Sequence, residues 1–136
     1  MKIILTVNPN SGKKQGQVIL EKIIPIFNAK NVVLDIIETS YAGHTKNLAN
    51  QTNLNNYDAF IAIGGDGTLF EVVNGMLTRD DKLKIPIGMI PGGSGNSYMH
   101  DLNLTNPVDA TNAILRGKKR LVDTIHINTN NETQYA

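Results

Sequence analysis

The chain has 136 residues, 13 basic against 12 acidic, and no cysteine. That length suits one domain with a real core and is small for a complete two-domain enzyme. Near-neutral charge gives no reason to expect nucleic acid or an anionic membrane surface as partner, and the missing cysteines exclude disulfides, thiol nucleophiles and thiolate metal sites.

The first element is a strand over Ile3–Val7, rich in β-branched residues. Its apolar stretch resembles the start of a signal peptide but ends at Asn8-Pro9-Asn10-Ser11, before any cleavage-type segment. No run approaches the roughly 18 apolar residues of a membrane span. A soluble, cytoplasmic protein is the expectation. A helix follows, with Val18, Ile19, Ile23, Ile26 and Phe27 on one face, and Pro25 is expected to kink or end it. Val32–Ile37 reads as a second strand, and the stretch from Gly43 to about Thr52 as a weaker helix. Ala59–Ile63 is a third strand. Leu69, Val72, Val73, Met76 and Leu77 then give the clearest helical face of the chain, at i, i+3, i+4, i+7 and i+8. Ile85–Ile90 is a fourth strand with Pro86 at its start, and a short helix is expected after Asn96. Pro107–Arg116 is a helix with Asn106 as N-cap, Pro107 at N1, Asp109 at N3 and Gly117 at its end. Leu121–Asn128 is extended, and the polar tail after it reads as a hairpin turn or a boundary.

Buried-looking strands alternating with helices predict an α/β fold, a mostly parallel sheet covered on both faces. Such sheets bind ligands beyond the carboxyl ends of their strands. Three strand ends here carry loops of special composition. After the third strand comes Gly64-Gly65-Asp66-Gly67-Thr68, with no spacer on either side. The first turn of the helix that follows leaves backbone N–H groups for a phosphate, while the glycines allow close approach and positive φ. Asp66 among those amides repels phosphate unless a cation bridges them or it meets a substrate hydroxyl. The combination points to a nucleotide phosphate with Mg²⁺, and so towards phosphoryl transfer. After the first strand, Asn8, Ser11 and the backbone at Gly12 stand ready to line a nucleotide, with Lys13 and Lys14 near its phosphates; the spacing is not that of a Walker A loop. After the second, Thr39 and Ser40 offer hydroxyls, Gly43 opens the next helix, and His44 reads as a capping or surface residue before a ligand. After the fourth comes a second glycine loop, in which Gly93, Ser94 and Asn96 suit phosphate oxygens or a sugar. A dinucleotide fingerprint fails at both glycine loops, because the third position is Phe70 in one and Tyr98 in the other. Glu71 lies one turn inside the strongest helix, pointing back at the glycine turn, and Asp123 interrupts an apolar face and needs a partner or a metal-water network.

Taken together, Asn-Pro-x-Ser-Gly at 8–12, Thr39-x-x-x-Gly43-His44, Gly-Gly-Asp-Gly-Thr at 64–68, Glu71, Asn74-Gly75 and Pro91-x-Gly-Ser-Gly-Asn resemble the diacylglycerol kinase catalytic domain family. That family includes sphingosine kinases and bacterial lipid kinases and is distantly related to NAD kinases. The Glu71–Gly75 run and the Ser94-Gly95-Asn96 loop most resemble the sphingosine kinase branch. The resemblance spans nearly the whole chain. It implies that Asn8, Ser11, Thr39, the Gly64–Thr68 turn, Glu71 and Ser94 surround ATP, with Asp66 closest to the chemistry and Asp66 and Asp123 as candidate Mg²⁺ ligands. It implies an ATP- and Mg²⁺-dependent lipid kinase that phosphorylates a lipid hydroxyl, of diacylglycerol or a sphingoid base. Residues 1–128 would be the ATP-binding domain and 129–136 the boundary towards a β-rich lipid-binding domain that this chain lacks. The partners expected are a nucleotide and, with the second domain, a lipid alcohol; transient membrane-surface contact and homo-oligomerisation stay open. A non-enzymatic nucleotide-binding module and an NAD kinase-like enzyme are the alternatives.

Overall fold

A computed structural model describes residues 1–8, 15–92, 106–116, 126–129 and 132–135, the last two segments by backbone alone. Strands and helices alternate: β1 (Lys2–Val7), α1 (Gln15–Ala29), β2 (Val33–Glu38), α2 (His44–Gln51), β3 (Ala59–Gly64), α3 (Asp66–Leu77), β4 (Ile87–Pro91) and α4 (Pro107–Leu115). A hairpin of β5 (His126–Thr129) and β6 (Glu132–Tyr135) completes the described elements. The four long strands form one parallel sheet in the order β2-β1-β3-β4, and β5 pairs with β6 antiparallel.

β1 and β3 are the two central strands, and their sequences show it. Ile3, Ile4, Leu5, Phe60 and Ile61 are all buried, as near-continuous apolar runs must be when helices cover both faces. β2 is different. It lies at an edge of the sheet, and Val33 and Ile36 remain exposed, so the expectation of a strand covered on both faces does not hold there. From β1 the chain steps outward to β2, and from β3 it steps the opposite way to β4. Right-handed crossovers therefore send α1 and α3 to opposite faces. Packing agrees: α1 lies against α4, and α2 against α3. The α2–α3 approach is close because Gly75 has no side chain. A Cβ there would overlap the Lys46 carbonyl and come within 2.8 Å of Ala49 Cβ.

Three expectations about elements change. α1 does not stop at Pro25 but runs on to Ala29. Proline removes the hydrogen bond to the carbonyl four residues back; that carbonyl belongs to Glu21, which like Pro25 is an exposed residue, while buried Ile23 and Phe27 hold the last turns to the core. Val18 leaves the predicted apolar face and is exposed, its place taken by Leu20 and Gly16. β4 begins at Ile87, two residues later than expected, although the Pro86 carbonyl already accepts the Phe60 N–H at 2.9 Å. The N-cap of α4 is as expected, with the Asn106 side chain accepting from the Val108 and Asp109 N–H groups. In the polar tail Thr129 pairs with Glu132 across β5 and β6, while residues 130 and 131, read as a hairpin turn or a boundary, lie outside the described residues. The short helix expected after Asn96 and the end of α4 at Gly117 lie outside the described residues.

Candidate functional site

β1 and β3 are neighbours whose connections leave in opposite directions, and the crevice beyond their carboxyl ends is where parallel α/β sheets bind ligands. A cleft of about 280 Å³ opens there. Val7 and Asn8 line it from the end of β1, Ile63 from β3, and Thr68 and Glu71 from α3. The β2–α2 loop contributes Thr39, Ser40, Tyr41 and Ala42, with Thr45 just inside α2.

Thr68 and Glu71 of α3 form one wall, and the glycine turn leads into it. Gly65 is the N-cap of α3, extended at φ −115° and without a side-chain cap, and Asp66 is the first helical residue. The first intrahelical bond runs from Leu69 N–H to the Gly65 carbonyl at 3.0 Å, so the N–H groups of residues 66–68 have no acceptor four residues back. Positive φ is not what these glycines supply: among the described residues the glycine in the left-handed region is Gly43, at φ 88°. Gly64 is small because Thr68 packs on it. A Cβ there would overlap Thr68 Oγ1. Gly67 has neither reason. Its Cβ would meet nothing within 4 Å, and it sits exposed beside Asp66 at the helix start. A glycine that neither packing nor backbone geometry requires leaves room for something to approach the backbone there.

The β2–α2 loop forms the opposite wall. Thr39 is buried, its N–H bonded to the Val7 carbonyl at 2.8 Å and its hydroxyl donating to the same oxygen at 3.4 Å. His44 takes the structural role expected of it. Its Nδ1 accepts the Ser40 N–H at 3.1 Å, which fixes the ring proton on Nε2 in neutral histidine. Its ring stacks on Tyr41 at 4.4 Å and 7°. Glu71, pointed back at its own helix start by the sequence, instead reaches across to this loop: its Oε1 accepts the Gly43 N–H at 2.7 Å.

Of the predicted site residues, Asn8, Thr39, Thr68 and Glu71 meet around the cleft, while Gly64, Gly65, Asp66 and Gly67 lead from the end of β3 to Thr68 and do not themselves line it. Ser11, Gly12, Lys13, Lys14, Gly93, Ser94, Asn96 and Asp123 lie outside the described residues. Sequence reasoning missed Tyr41, Thr45 and the Glu71–Gly43 link; a polar residue at the cleft end of α2 was the available signal for Thr45. Phe70, at the failed third fingerprint position, is 44% exposed. The i, i+4 pair Val72 and Met76, with Gly75, makes the buried face of the helix, and Phe70 falls outside it. Among the described residues no group of three or more His, Cys, Asp or Glu side chains gathers as a metal centre. The perturbed ionisable groups stand elsewhere. Tyr57, just before β3, donates to Asp35 Oδ2 at 2.5 Å, and that bond chiefly pushes its pKa up. The Arg79 guanidinium, bidentate to Asp81, holds the Asp81 carboxyl down at about 2.

The sequence model of the diacylglycerol kinase catalytic domain matches residues 2–127. The chain belongs to the diacylglycerol kinase catalytic domain family. Sphingosine kinase 1 of Arabidopsis thaliana is 40% identical over 131 residues, covering 90% of this chain and 27% of that protein. Human mitochondrial acylglycerol kinase is 36% identical over 136 residues, covering 93% and 32%. A diacylglycerol kinase structure from Bacillus anthracis str. Sterne superposes with a TM-score of 0.77 at 30% identity, covering 90% of this chain and 42% of that one. The chain thus spans between about a quarter and a half of these family members. No helix among the described residues is long and apolar enough to cross a membrane.

Proposed function

We propose that this chain is the nucleotide-binding part of an ATP- and Mg²⁺-dependent lipid kinase, which transfers the γ-phosphoryl group to the hydroxyl of a diacylglycerol or a sphingoid base. The observation that carries this reading is Gly67, a helix-start glycine with open space in place of a side chain, next to Asp66 and at the crevice between β1 and β3. The N–H groups of the α3 first turn suit phosphate oxygens, and Asn8, Thr39 and Thr68 border the space beside them. Mg²⁺ is commonly held by one or two carboxylates together with substrate phosphates, so the Asp66 carboxylate beside bound phosphates is a fitting donor. Such an ion neutralises charge on the transferring group when bound. Asp66 would hold the phosphate end in register, and the buried ends of β1 and β3 would keep the cleft floor rigid, which is the positioning that phosphoryl transfer chiefly requires.

The printed names of the relatives, sphingosine kinase, acylglycerol kinase and diacylglycerol kinase, support a lipid alcohol as acceptor. The cleft is lined mostly by hydroxyls, an amide and a carboxylate, with Val7, Ala42 and Ile63 as its apolar part, a surface better suited to a nucleotide than to an acyl chain. The acceptor pocket is therefore assigned to chain beyond the segment shared with those longer relatives, with residues 1–128 as the ATP-binding domain. Calorimetric titration with ATP, with and without Mg²⁺, tests the nucleotide reading. Transfer of labelled γ-phosphate to a panel of diacylglycerols and long-chain bases tests the rest. The expected result is Mg²⁺-dependent ATP binding with no measurable transfer by the 136 residues alone. Mg²⁺-independent binding of NAD in preference to ATP would overturn the reading in favour of an NAD kinase-like enzyme.

A further inference from the structure

Gly43 has two features that make its surroundings demanding. It is left-handed, at φ 88° and ψ −4°, and it is the N-cap of α2 without a side chain to cap with. Its carbonyl accepts the Asn47 N–H at 3.0 Å, which starts the helix. Its own N–H is taken by Glu71 Oε1 from α3 at 2.7 Å. Between Thr39 and Gly43 run Ser40, Tyr41 and Ala42, three residues that line the cleft. The loop is braced internally through His44, which accepts from Ser40 and stacks on Tyr41. That brace fixes the shape of the loop and not its distance from α3. At the β2 end the distance is set by Thr39 N–H on the Val7 carbonyl; at the α2 end, across the cleft, Glu71 is what reaches it.

We propose that Glu71 is a positioning residue, whose carboxylate holds the β2–α2 loop at a fixed distance from the glycine turn and so sets the width of the nucleotide cleft. This rests on the nucleotide reading above and deepens it. The role needs an acceptor oxygen at the right reach. Charge is secondary, although a charged acceptor makes the stronger bond. Glu71→Gln keeps the reach and loses the charge. Glu71→Asp keeps the charge and loses one methylene of reach. Glu71→Ala loses both.

The test uses the whole chain, labelled with ¹⁵N. Gly43 amide exchange and proton shift are followed without nucleotide, and ATP–Mg²⁺ affinity is measured by calorimetry. Losing a hydrogen bond to a charged group amounts to roughly ten- to a hundredfold, so Glu71→Ala and Glu71→Asp should speed Gly43 exchange by at least about tenfold and weaken ATP binding by a similar factor. Glu71→Gln should bring both back to within about threefold of the parent. Unchanged Gly43 exchange in Glu71→Ala would overturn the proposal. So would binding that survives in Glu71→Asp and fails in Glu71→Gln, since that pattern belongs to a carboxylate used for its charge. The exchange arm needs no nucleotide, so a parent chain that binds no ATP defeats the functional reading while exchange still decides the tether.

Discussion

The side chain of Thr68 stands where a Cβ of Gly64 would be, with its own Cβ only 2.6 Å from that position. The last residue of β3 and the first turn of α3 are therefore packed as one unit, which fixes the angle at which the helix leaves the sheet. Gly64→Ala should destabilise the chain by about 1–3 kcal/mol, the usual consequence of overpacking. Adding Thr68→Gly should return part of the loss despite the extra helical glycine. Denaturant melts of the two variants decide it: equal losses would place the cause in the backbone of residue 64.

Gly67 lies three residues away and calls for the opposite outcome. With nothing within 4 Å of its Cβ position and a helical backbone, Gly67→Ala should stabilise the chain by roughly 0.5–1 kcal/mol. The same methyl would enter the space assigned to phosphate, so ATP affinity should fall at least tenfold. A variant both more stable and unimpaired in binding would remove the ligand explanation for this glycine.

Asp66→Asn separates chemistry from folding. The side chain is half-buried at a helix start, and the amide is nearly isosteric, so the unfolding free energy should fall by no more than about 1 kcal/mol, the scale of a carboxylate at a helix N-terminus. In an active kinase that contains this segment, kcat should fall by about 10²–10³, the scale of losing one preorganised electrostatic group. Undiminished turnover would take Asp66 out of the mechanism.

The Arg79–Asp81 pair gives a pH dependence with a definite sign. Asp81 is lowered from its ordinary 3.8 to about 2 by the guanidinium and by the Leu83 N–H. Its contribution to stability is therefore complete above about pH 4 and disappears as pH falls towards 2. Asp81→Asn should be less stable than the parent at pH 7, with the gap closing between pH 4 and 2. A gap that stays constant across that range would mean that the carboxylate charge is irrelevant. Arg79 also donates to the Ala49 carbonyl at 2.9 Å, so Arg79→Ala should show the Asp81 effect plus a pH-independent part from the last turn of α2.

What could be read without coordinates was whatever depends on local pattern. β1, β3 and α3 appear within a residue or two of expectation because central strands and a two-faced helix write themselves as apolar runs and as a 3.6 period. The Asn106-Pro107 cap was legible for the same reason. Of the two outcomes expected at Pro25, a kink or an end, the end does not occur, because buried Ile23 and Phe27 hold the helix to the core on either side of it, which is a tertiary fact. Val33 and Ile36 look like core residues until β2 is known to be an edge strand. At the site, the glycine turn and Glu71 were visible as residues, while the partner of Glu71 was not: Gly43 is 28 positions away, and only the packing of α2 on α3 brings them together.

The register of the sheet has a consequence for how the chain assembles. β1 is a middle strand, paired along one side with β2, Ile3 to Leu34, and along the other with β3, Ile3 to Ala59. Parallel pairs cannot be made by a short turn, and each closes a long loop before it yields any contact. In folding, β1 must therefore wait for the third strand before its second edge is covered. In that interval a strongly apolar strand, Lys2 to Val7, carries an unpaired edge of the kind that recruits other chains.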